Sequence, residues 1–137
     1  MELPKLPTIG FYEKPSSCFN FIHIIQSPDN RTLIRFAEHS LARNHSDVYT
    51  LLKKEFLEAL QIDDEGLFYN HYHCIGGGYV HIINEESDVF RNGLTSKTKC
   101  KIRGSSSTFG AADLDLVKRL IEESGKFDIV TIRRSSL

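Results

Sequence analysis

The sequence predicts a single α/β (α+β) domain in which one mixed sheet of about six strands carries two α-helices. The chain has 137 residues, which is close to the commonest size of one domain. Hydrophobic residues make up 40% of it, including nine Phe and five Tyr, so the chain can bury a core. Short β-branched runs alternate with two helical stripes in the order β-β-α-β-β-β-α-β, which favours helices packed on a sheet.

The composition excludes several classes of protein. The 17 basic and 18 acidic residues nearly balance, which argues against disorder and gives no footprint for a nucleic acid or a membrane as partner. No apolar run approaches the roughly 20 residues of a membrane helix. The three cysteines are widely spread, which disfavours a disulfide framework or a structural zinc site. We therefore expect a reduced, cytoplasmic monomer with no cofactor.

The N-terminal part predicts an extended lead-in followed by a hairpin. Residues 1–17 hold three of the four prolines and form the lead-in. The run Cys18–Ile25 has the length of a strand and is apolar on both faces apart from two polar residues, which predicts an interior strand. After turn residues at 27–30, a second strand follows over Arg31–Ala37. Arg35 lies in its middle, where a charged residue needs a partner or an anionic ligand.

The clearest element is a helix that begins near residue 45. Asn44 is suited to be its N-cap, and Asp47 places a carboxylate in the first turn. One apolar stripe runs along the helix at i, i+3 and i+4 spacing. Its members are Val48, Leu51, Leu52, Phe56, Ala59 and Leu60.

The C-terminal half predicts four more strands and a second helix. The strands are expected around Tyr69–Ile75, Tyr79–Ile83, Lys99–Ser105 and Phe127–Arg133. The residues Asn84–Thr98 look like a loop. The second helix is expected over Asp113–Ser124, with Gly125 as its stop. In the third of these strands, Lys99, Lys101 and Arg103 share a face.

His45 is the first candidate for chemistry. It stands where the backbone amides of the first helical turn lack intrahelical partners and can bind an anion. A neutral imidazole beside a bound phosphate can activate a water as a general base. The alternative is an ordinary residue at a helix start with an exposed ring.

Two glycine-rich segments are further candidates for a phosphate site. The loop Gly104–Gly110 joins a strand to a helix, and its amides and hydroxyls could surround phosphate oxygens. It lacks the lysine of a Walker A loop, so it could equally be a plain connection. The run Gly76–Gly78 predicts a bulge, a crossover or a close approach of backbone.

A metal site is a competing interpretation of the histidines. His71 and His73 would share a face of one strand, and His81 could approach from the next strand, which would suit zinc. No acidic residue occupies an obvious supporting position. The cysteines are expected to act as small buried hydrophobes.

Four motifs, in order, resemble the Janus family of protein histidine phosphatases. The family's H-(A/S)-D-(I/V)-(Y/F) string is matched by His45–Tyr49, and its (I/L)-V-R strand end by Leu33–Arg35. Its C-(L/I)-G-G-G run is matched by Cys74–Gly78, and its G-x-S-x-x-(Y/F)-G loop by Gly104–Gly110. Together the motifs cover roughly Cys18 to Arg133.

The resemblance implies a metal-independent phosphatase that removes phosphate from phosphohistidine, or from phospholysine, in a phosphoprotein substrate. It makes His45 the general base that activates water, although a nucleophilic role is also described for related enzymes. It implies that the phosphate is bound by Arg35 as a bidentate cation and by the amides of Ser46, Ser106 and Thr108.

The chain departs from the family pattern at the expected pocket. Asn20, which the resemblance places among the phosphate-binding residues, stands where members have a lysine. Tyr79 replaces the arginine after the triple glycine, and Arg43 or Lys101 could substitute for a missing charge. An enlarged loop is expected over 85–96. The alternative function is therefore a catalytically weak or inactive module that binds phosphate or phosphoproteins.

Overall fold

The computed structural model describes residues 3–12, 18–87 and 95–134, and it confirms a mixed α/β fold with one six-stranded sheet and three helices. The strands are β1 (Ile9–Phe11), β2 (Cys18–Gln26), β3 (Arg31–Glu38), β4 (Tyr72–Ser87), β5 (Thr95–Arg103) and β6 (Ile129–Arg133). The helices are α1 (His45–Leu60), α2 (Glu65–His71) and α3 (Leu114–Glu123). Among the described residues, none of the helices has both the length and the apolar character needed to cross a membrane.

The sheet has the strand order β1-β3-β2-β4-β5-β6. Its centre is antiparallel, because β3, β2, β4 and β5 pair as successive antiparallel neighbours. Its edges are parallel, with β1 beside β3 and β6 beside β5. In this arrangement the long strand β4 connects the two halves of the molecule.

The two faces of the sheet carry separate cores. Phe19 and Phe21 of β2 point into the core on the α3 side, which also holds Val117 of that helix. Ile22 and Ile24 of the same strand point into the core on the side of α1 and α2. This alternation confirms the expectation that β2 is an interior strand, apolar on both faces.

Helix α1 begins as the sequence predicts. The Asn44 side chain accepts a hydrogen bond from the Asp47 amide at 2.9 Å, and the Asp47 carboxylate accepts one from the Arg43 amide at 3.1 Å. These reciprocal bonds fix the start of the helix at His45. Val48, Leu52 and Phe56 of the predicted stripe are fully buried.

The structure corrects the predicted elements around residues 65–83. A short helix, α2, occupies Glu65–His71, where the beginning of a strand was expected, and the two strands expected on either side of the triple glycine are one continuous strand, β4. The helix has only seven residues, too few for a helical stripe, and its aromatic residues favour a strand by propensity. Asp64 nevertheless caps it by accepting from the Leu67 amide.

The structure also differs from the prediction in two segments that were expected to have no regular secondary structure. Part of the lead-in forms β1, which pairs with β3. The predicted loop of residues 84–98, and with it the expected insertion at 85–96, is partly strand, because β4 and β5 pair as far as Ser87 and Thr95. The rest of the insertion lies outside the described residues.

Candidate active site at the start of helix α1

His45 is held in place by the strand beneath it. The residue is 4% exposed, and its Nε2 lies 2.8 Å from the carbonyl oxygen of Gly78. A carbonyl oxygen can only accept a hydrogen bond, so Nε2 must carry the hydrogen and donate. The neutral ring therefore keeps its lone pair on Nδ1, the nitrogen that is able to take up a proton.

Gly77 is the point where the three glycine- and histidine-containing motifs meet. A Cβ placed on Gly77 would come within 2.8 Å of Cδ2 of His45 and 3.2 Å of Cβ of Ser106. The imidazole of His45 and the side chain of Ser106 thus both pack directly against the backbone of β4 at Gly77. The structure brings together residues that are about 30 positions apart in the chain.

The loop of residues 104–110 is closed on itself by Ser106. Its hydroxyl oxygen accepts from the amides of Thr108 at 3.2 Å and Phe109 at 3.0 Å, and its backbone exchanges two hydrogen bonds with Gly110. The Thr108 amide, expected to bind phosphate, is therefore already paired. The exposed Ser107 between them has an amide that makes no hydrogen bond within the described residues.

The start of α1 offers a second free amide. Of the first-turn amides, that of Asp47 is capped by Asn44, whereas that of Ser46 has no partner in the described part of the chain. Ser46 is exposed, so this amide is placed as expected for a residue that contacts an anion at a helix start. Ser46 and Ser107 thus retain the unpaired donors at the two sides of Gly77.

Arg35 is used differently from the expectation that it binds phosphate. It is fully buried, and its Nε and one terminal nitrogen donate to the two carboxylate oxygens of Glu55 at 2.9 and 3.1 Å. Glu55 is ten residues along α1 from His45, a distance of about 15 Å at 1.5 Å per residue. The guanidinium is bound to this carboxylate and lies away from the helix start, so Arg35 is not part of the site.

Asn20 lies near the site but beneath it. It pairs with Tyr79 across β2 and β4, is 1% exposed, and donates from Nδ2 to the Ala42 carbonyl oxygen at 2.9 Å. This bond anchors the segment that leads into α1. The Nδ2 of Asn20 is therefore engaged by the backbone and not available to a phosphate, whereas its buried Oδ1 has no hydrogen-bond partner within the described residues.

Arg103 is a candidate residue that the sequence analysis did not select. It is the register partner of Tyr79, and its guanidinium carbon lies 5.9 Å from the centre of the Tyr79 ring. His45 also contacts that ring, with a distance of 5.1 Å between the ring centres, and the His39 ring lies 6.2 Å from it. Arg103 therefore places an exposed cation one side chain away from the imidazole, beside the position where the family carries arginine.

The three histidines that would form the alternative zinc site, His71, His73 and His81, do not lie together in the structure. His71 ends α2, where its Nδ1 lies 2.9 Å from the Leu67 carbonyl oxygen, while His73 is in β4 beside Ser27. His81 is eight residues further along the same strand, roughly 25 Å away. No group of three or more His, Cys, Asp or Glu side chains suited to a metal ion occurs within the described residues.

Cys100 is a buried hydrophobe, as expected, and Cys74 is partly buried against the core on the side of α1 and α2. Burial raises the pKa of the Cys100 thiol to about 12. Burial likewise raises the pKa of Cys74 to about 12, against a smaller opposite effect of its hydrogen bond to Gly76. Cys18 differs from the expectation, since it is exposed at the start of β2.

No protein-family model matches the chain, and none of the curated proteins matches it. The site is therefore interpreted from its own geometry and from the four motifs.

Proposed function

We propose that the protein is a phosphatase that hydrolyses phosphohistidine, or phospholysine, in proteins without a metal ion. The observation that carries the proposal is the convergence at Gly77 of the helix start, the triple glycine and the serine loop. These are the segments that resemble the Janus family. In the sequence they are separate motifs, and in the fold they border one site.

His45 is the general base of the proposed reaction. Its Nε2–H is committed to the Gly78 carbonyl, so Nδ1 takes a proton from the attacking water. The water oxygen forms the new bond to phosphorus, and the P–N bond breaks as the leaving nitrogen takes a proton from solvent. The products are inorganic phosphate and the free side chain, and His45 then releases its proton to solvent.

The phosphoryl oxygens are bound by unpaired donors and by one cation. The amides of Ser46 and Ser107 supply hydrogen bonds at the two sides of Gly77. Arg103 supplies the positive charge that the resemblance assigned to Arg35 and that Tyr79 lacks. Such donors stabilise the charge of the transferring phosphoryl group, which is the main demand of this chemistry.

The proposed setting is the cytoplasm, and the proposed active form is a monomer. The three cysteines are free, which is consistent with a reducing compartment.

The central experiment compares phosphate release from a phosphohistidine peptide by the wild-type protein, His45→Ala and His73→Ala, each with and without EDTA. We expect wild-type turnover that EDTA does not affect and a rate about 10²- to 10⁴-fold lower in His45→Ala, the usual loss of a general base. His73→Ala, which changes an exposed histidine four residues before Gly77 in β4, serves as the matched control and should retain the wild-type rate. A His45→Ala protein that is folded and equally active would refute the proposal.

The second candidate function is a binding module that holds a phosphorylated protein without turnover. The burial of Arg35 and Asn20 favours it, since these are two of the five residues expected to bind phosphate, and both are withdrawn from the site. A wild-type protein that binds a stable phosphohistidine analogue in an Arg103-dependent manner, yet releases no phosphate, would establish this function instead.

A further inference from the structure

Within residues 3–12, 18–87 and 95–134, half of one sheet face is left uncovered beside the proposed active site. On the α3 side, alternate residues of β4, β5 and β6 are buried, among them Val80, Ile102 and Val130. The intervening residues therefore lie on the opposite face. On that face α1 packs against β2, β3 and β4, and the described residues place no helix over β5 and β6.

Beside the site, the open face consists of two rows of cross-strand neighbours, and a third row of Ile83, Lys99 and Ile129 continues it along the strands. The first row runs from Tyr79 through Arg103 to Arg133, and the second runs from His81 through Lys101 to Thr131. All residues of the first two rows except the half-buried Tyr79 are exposed. The strands are about 4.8 Å apart and the rows about 7 Å apart, so the cations lie close together.

The charge of this face is one-sided. Lys101, Arg103 and Arg133 bring three fixed positive charges, and the two rows contain no acidic residue. None of the three cations has an ion-pair partner within the described residues, whereas the neighbouring Arg134 binds Asp115. A nearly neutral chain thus concentrates unpaired cations at one place, which favours binding of an anionic partner.

Two cavities border the rows. One of about 230 Å³ lies against Tyr79, His81 and Arg103, and one of about 280 Å³ lies against Arg103, Gly104 and Arg133. Gly104 opens the loop that carries Ser106 and Ser107. These cations therefore lie next to Tyr79, whose ring contacts His45, and next to the start of the serine loop.

We propose that the open face, defined by His81, Lys101, Arg103 and Arg133, binds an acidic segment of the substrate protein. The proposal rests on the proposed function and adds the substrate class, a phosphorylated residue flanked by acidic residues. Arg133 is two strands from Tyr79, about 10 Å, which an extended peptide spans in about three residues. The acidic residues are therefore expected within about three positions of the phosphorylated one.

The same observations disfavour a nucleic acid as the partner. The near-neutral net charge is not that of a domain that follows a phosphate backbone. Single-stranded nucleic acids also need aromatic platforms on which bases stack. Of the two rings in these rows, Tyr79 already contacts His45 and Arg103, which leaves the imidazole of His81.

The test measures binding apart from turnover. The probes are a labelled histidine peptide with glutamates at the three flanking positions on each side, without phosphate, and the same peptide with glutamines. By fluorescence anisotropy at low salt, we expect the glutamate peptide to bind the wild-type protein more tightly. The double variant Lys101→Gln/Arg133→Gln should weaken that binding by about three- to tenfold, the usual effect of a few exposed ion pairs.

The matched control is Lys54→Gln/Arg119→Gln, which removes two exposed cations outside the open face and should leave binding unchanged. With phosphorylated peptides, the first double variant should raise KM for the glutamate peptide by the same factor and leave kcat unchanged.

Equal affinity for the two peptides, or an equal loss in the control variant, would overturn the proposal. Tighter binding of an oligonucleotide of equal charge would replace it with nucleic-acid binding. Because anisotropy needs no catalysis, an inactive protein that still selects the acidic peptide would contradict the proposed function and support the docking surface.

Discussion

Arg35 has the largest fully buried side chain, and its environment explains why a charge is tolerated in the core. Its side chain packs closely over Gly10, where an added Cβ would lie only 2.8 Å from Cδ of Arg35. Its guanidinium donates two hydrogen bonds to the Glu55 carboxylate. The Tyr12 hydroxyl donates to the same carboxylate at 2.6 Å. The three side chains tie β1 and β3 to the middle of α1.

Removing either partner of this pair should destabilise the protein strongly. In Glu55→Gln or Arg35→Met the remaining charge is left without its counter-ion, which costs about 3–5 kcal/mol for a buried pair. The double variant Arg35→Met/Glu55→Gln combines the two single substitutions, buries no unpaired charge and should recover much of the loss. Urea unfolding of the four proteins measures the coupling free energy, and a double variant as unstable as the sum of the single ones would contradict the pairing.

The same pair should make the fold sensitive to acid. Burial raises the pKa of Glu55, but the hydrogen bonds of Arg35 and Tyr12 and the charge of Arg35 outweigh it, so the pKa lies below its ordinary value of 4.5. A lowered pKa in the folded state means that the contribution is complete above about pH 4.5 and is lost as the pH falls through the folded value. The difference in melting temperature between the wild type and Glu55→Gln should therefore shrink below pH 4.5.

The sequence predicted half of this arrangement. A charged residue in the middle of a buried strand requires a partner or an anionic ligand, and that inference was correct. The choice between the two was not available, because the partner is 20 residues away on a helix whose position over the sheet depends on tertiary packing. The family resemblance favoured a phosphate ligand for Arg35, whereas in the structure its partner is the carboxylate of Glu55.

At the scale of elements, the triple glycine lets the long strand β4 pass close to its neighbours. Gly77 meets the imidazole of His45, and a Cβ there would also lie 2.7 Å from the Phe21 carbonyl oxygen. A Cβ on Gly78 would meet the Phe21 ring at 2.8 Å. The glycines therefore permit close packing within a continuous strand, one of the alternatives that the sequence left open.

Gly77→Ala should displace His45 and Ser106 and abolish activity. Because the Phe21 carbonyl is backbone and cannot turn aside, we also expect a loss of about 1–3 kcal/mol, as for overpacking of a core. Thermal unfolding and phosphate release test the two effects separately. Full activity in Gly77→Ala would show that the three segments need not meet.

Gly66→Ala is the matched control on another element. Gly66 lies in α2, where a Cβ would make only an ordinary contact of 3.4 Å with the Asp64 side chain. Alanine is favoured over glycine in a helix, so stability should rise by about 0.5 kcal/mol with activity unchanged.

The elements that were predicted correctly are those with a strong local pattern. Helix α1 has a cap and a long stripe, and α3 has Asp113 as its cap and Gly125 with a φ of 70° after it. The helix α2 and the strand β1 are short, and their formation depends on neighbours distant in sequence. The same distinction applies to the candidate site. Its motifs could be recognised in the sequence, whereas the position of Arg103 beside Tyr79 depends on the register of β4 and β5, which the sequence does not reveal.

At the scale of the molecule, the decisive feature is that the part of the chain that the structure describes covers the two faces of the sheet unequally. The near-zero net charge suggested no binding surface, because a sum cannot reveal that unpaired cations share one open face. Their clustering follows from sheet register, which places residues of β4, β5 and β6 side by side.

The cysteines provide an independent probe of this architecture. Cys18 is exposed and pairs with His81 at the margin of the open face, whereas Cys100 lies in the core on the other side. Thiolates are the reactive form, and a pKa raised from 9.0 to about 12 lowers the thiolate fraction of Cys74 and Cys100 about a thousandfold at neutral pH. One thiol of the three should therefore react in the folded protein, and the other two only on unfolding.

Mass spectrometry of the protein after brief alkylation identifies the modified residue. If the open face is the docking surface, a bulky label on Cys18 should weaken binding of the glutamate peptide and spare the affinity for inorganic phosphate, which needs only the site at Gly77. A Cys18→Ser protein treated with the same reagent is the control and should bind as the untreated protein does. Rapid modification of Cys100 under native conditions would instead mean that the core between the sheet and α3 opens readily, in conflict with a fully buried thiol.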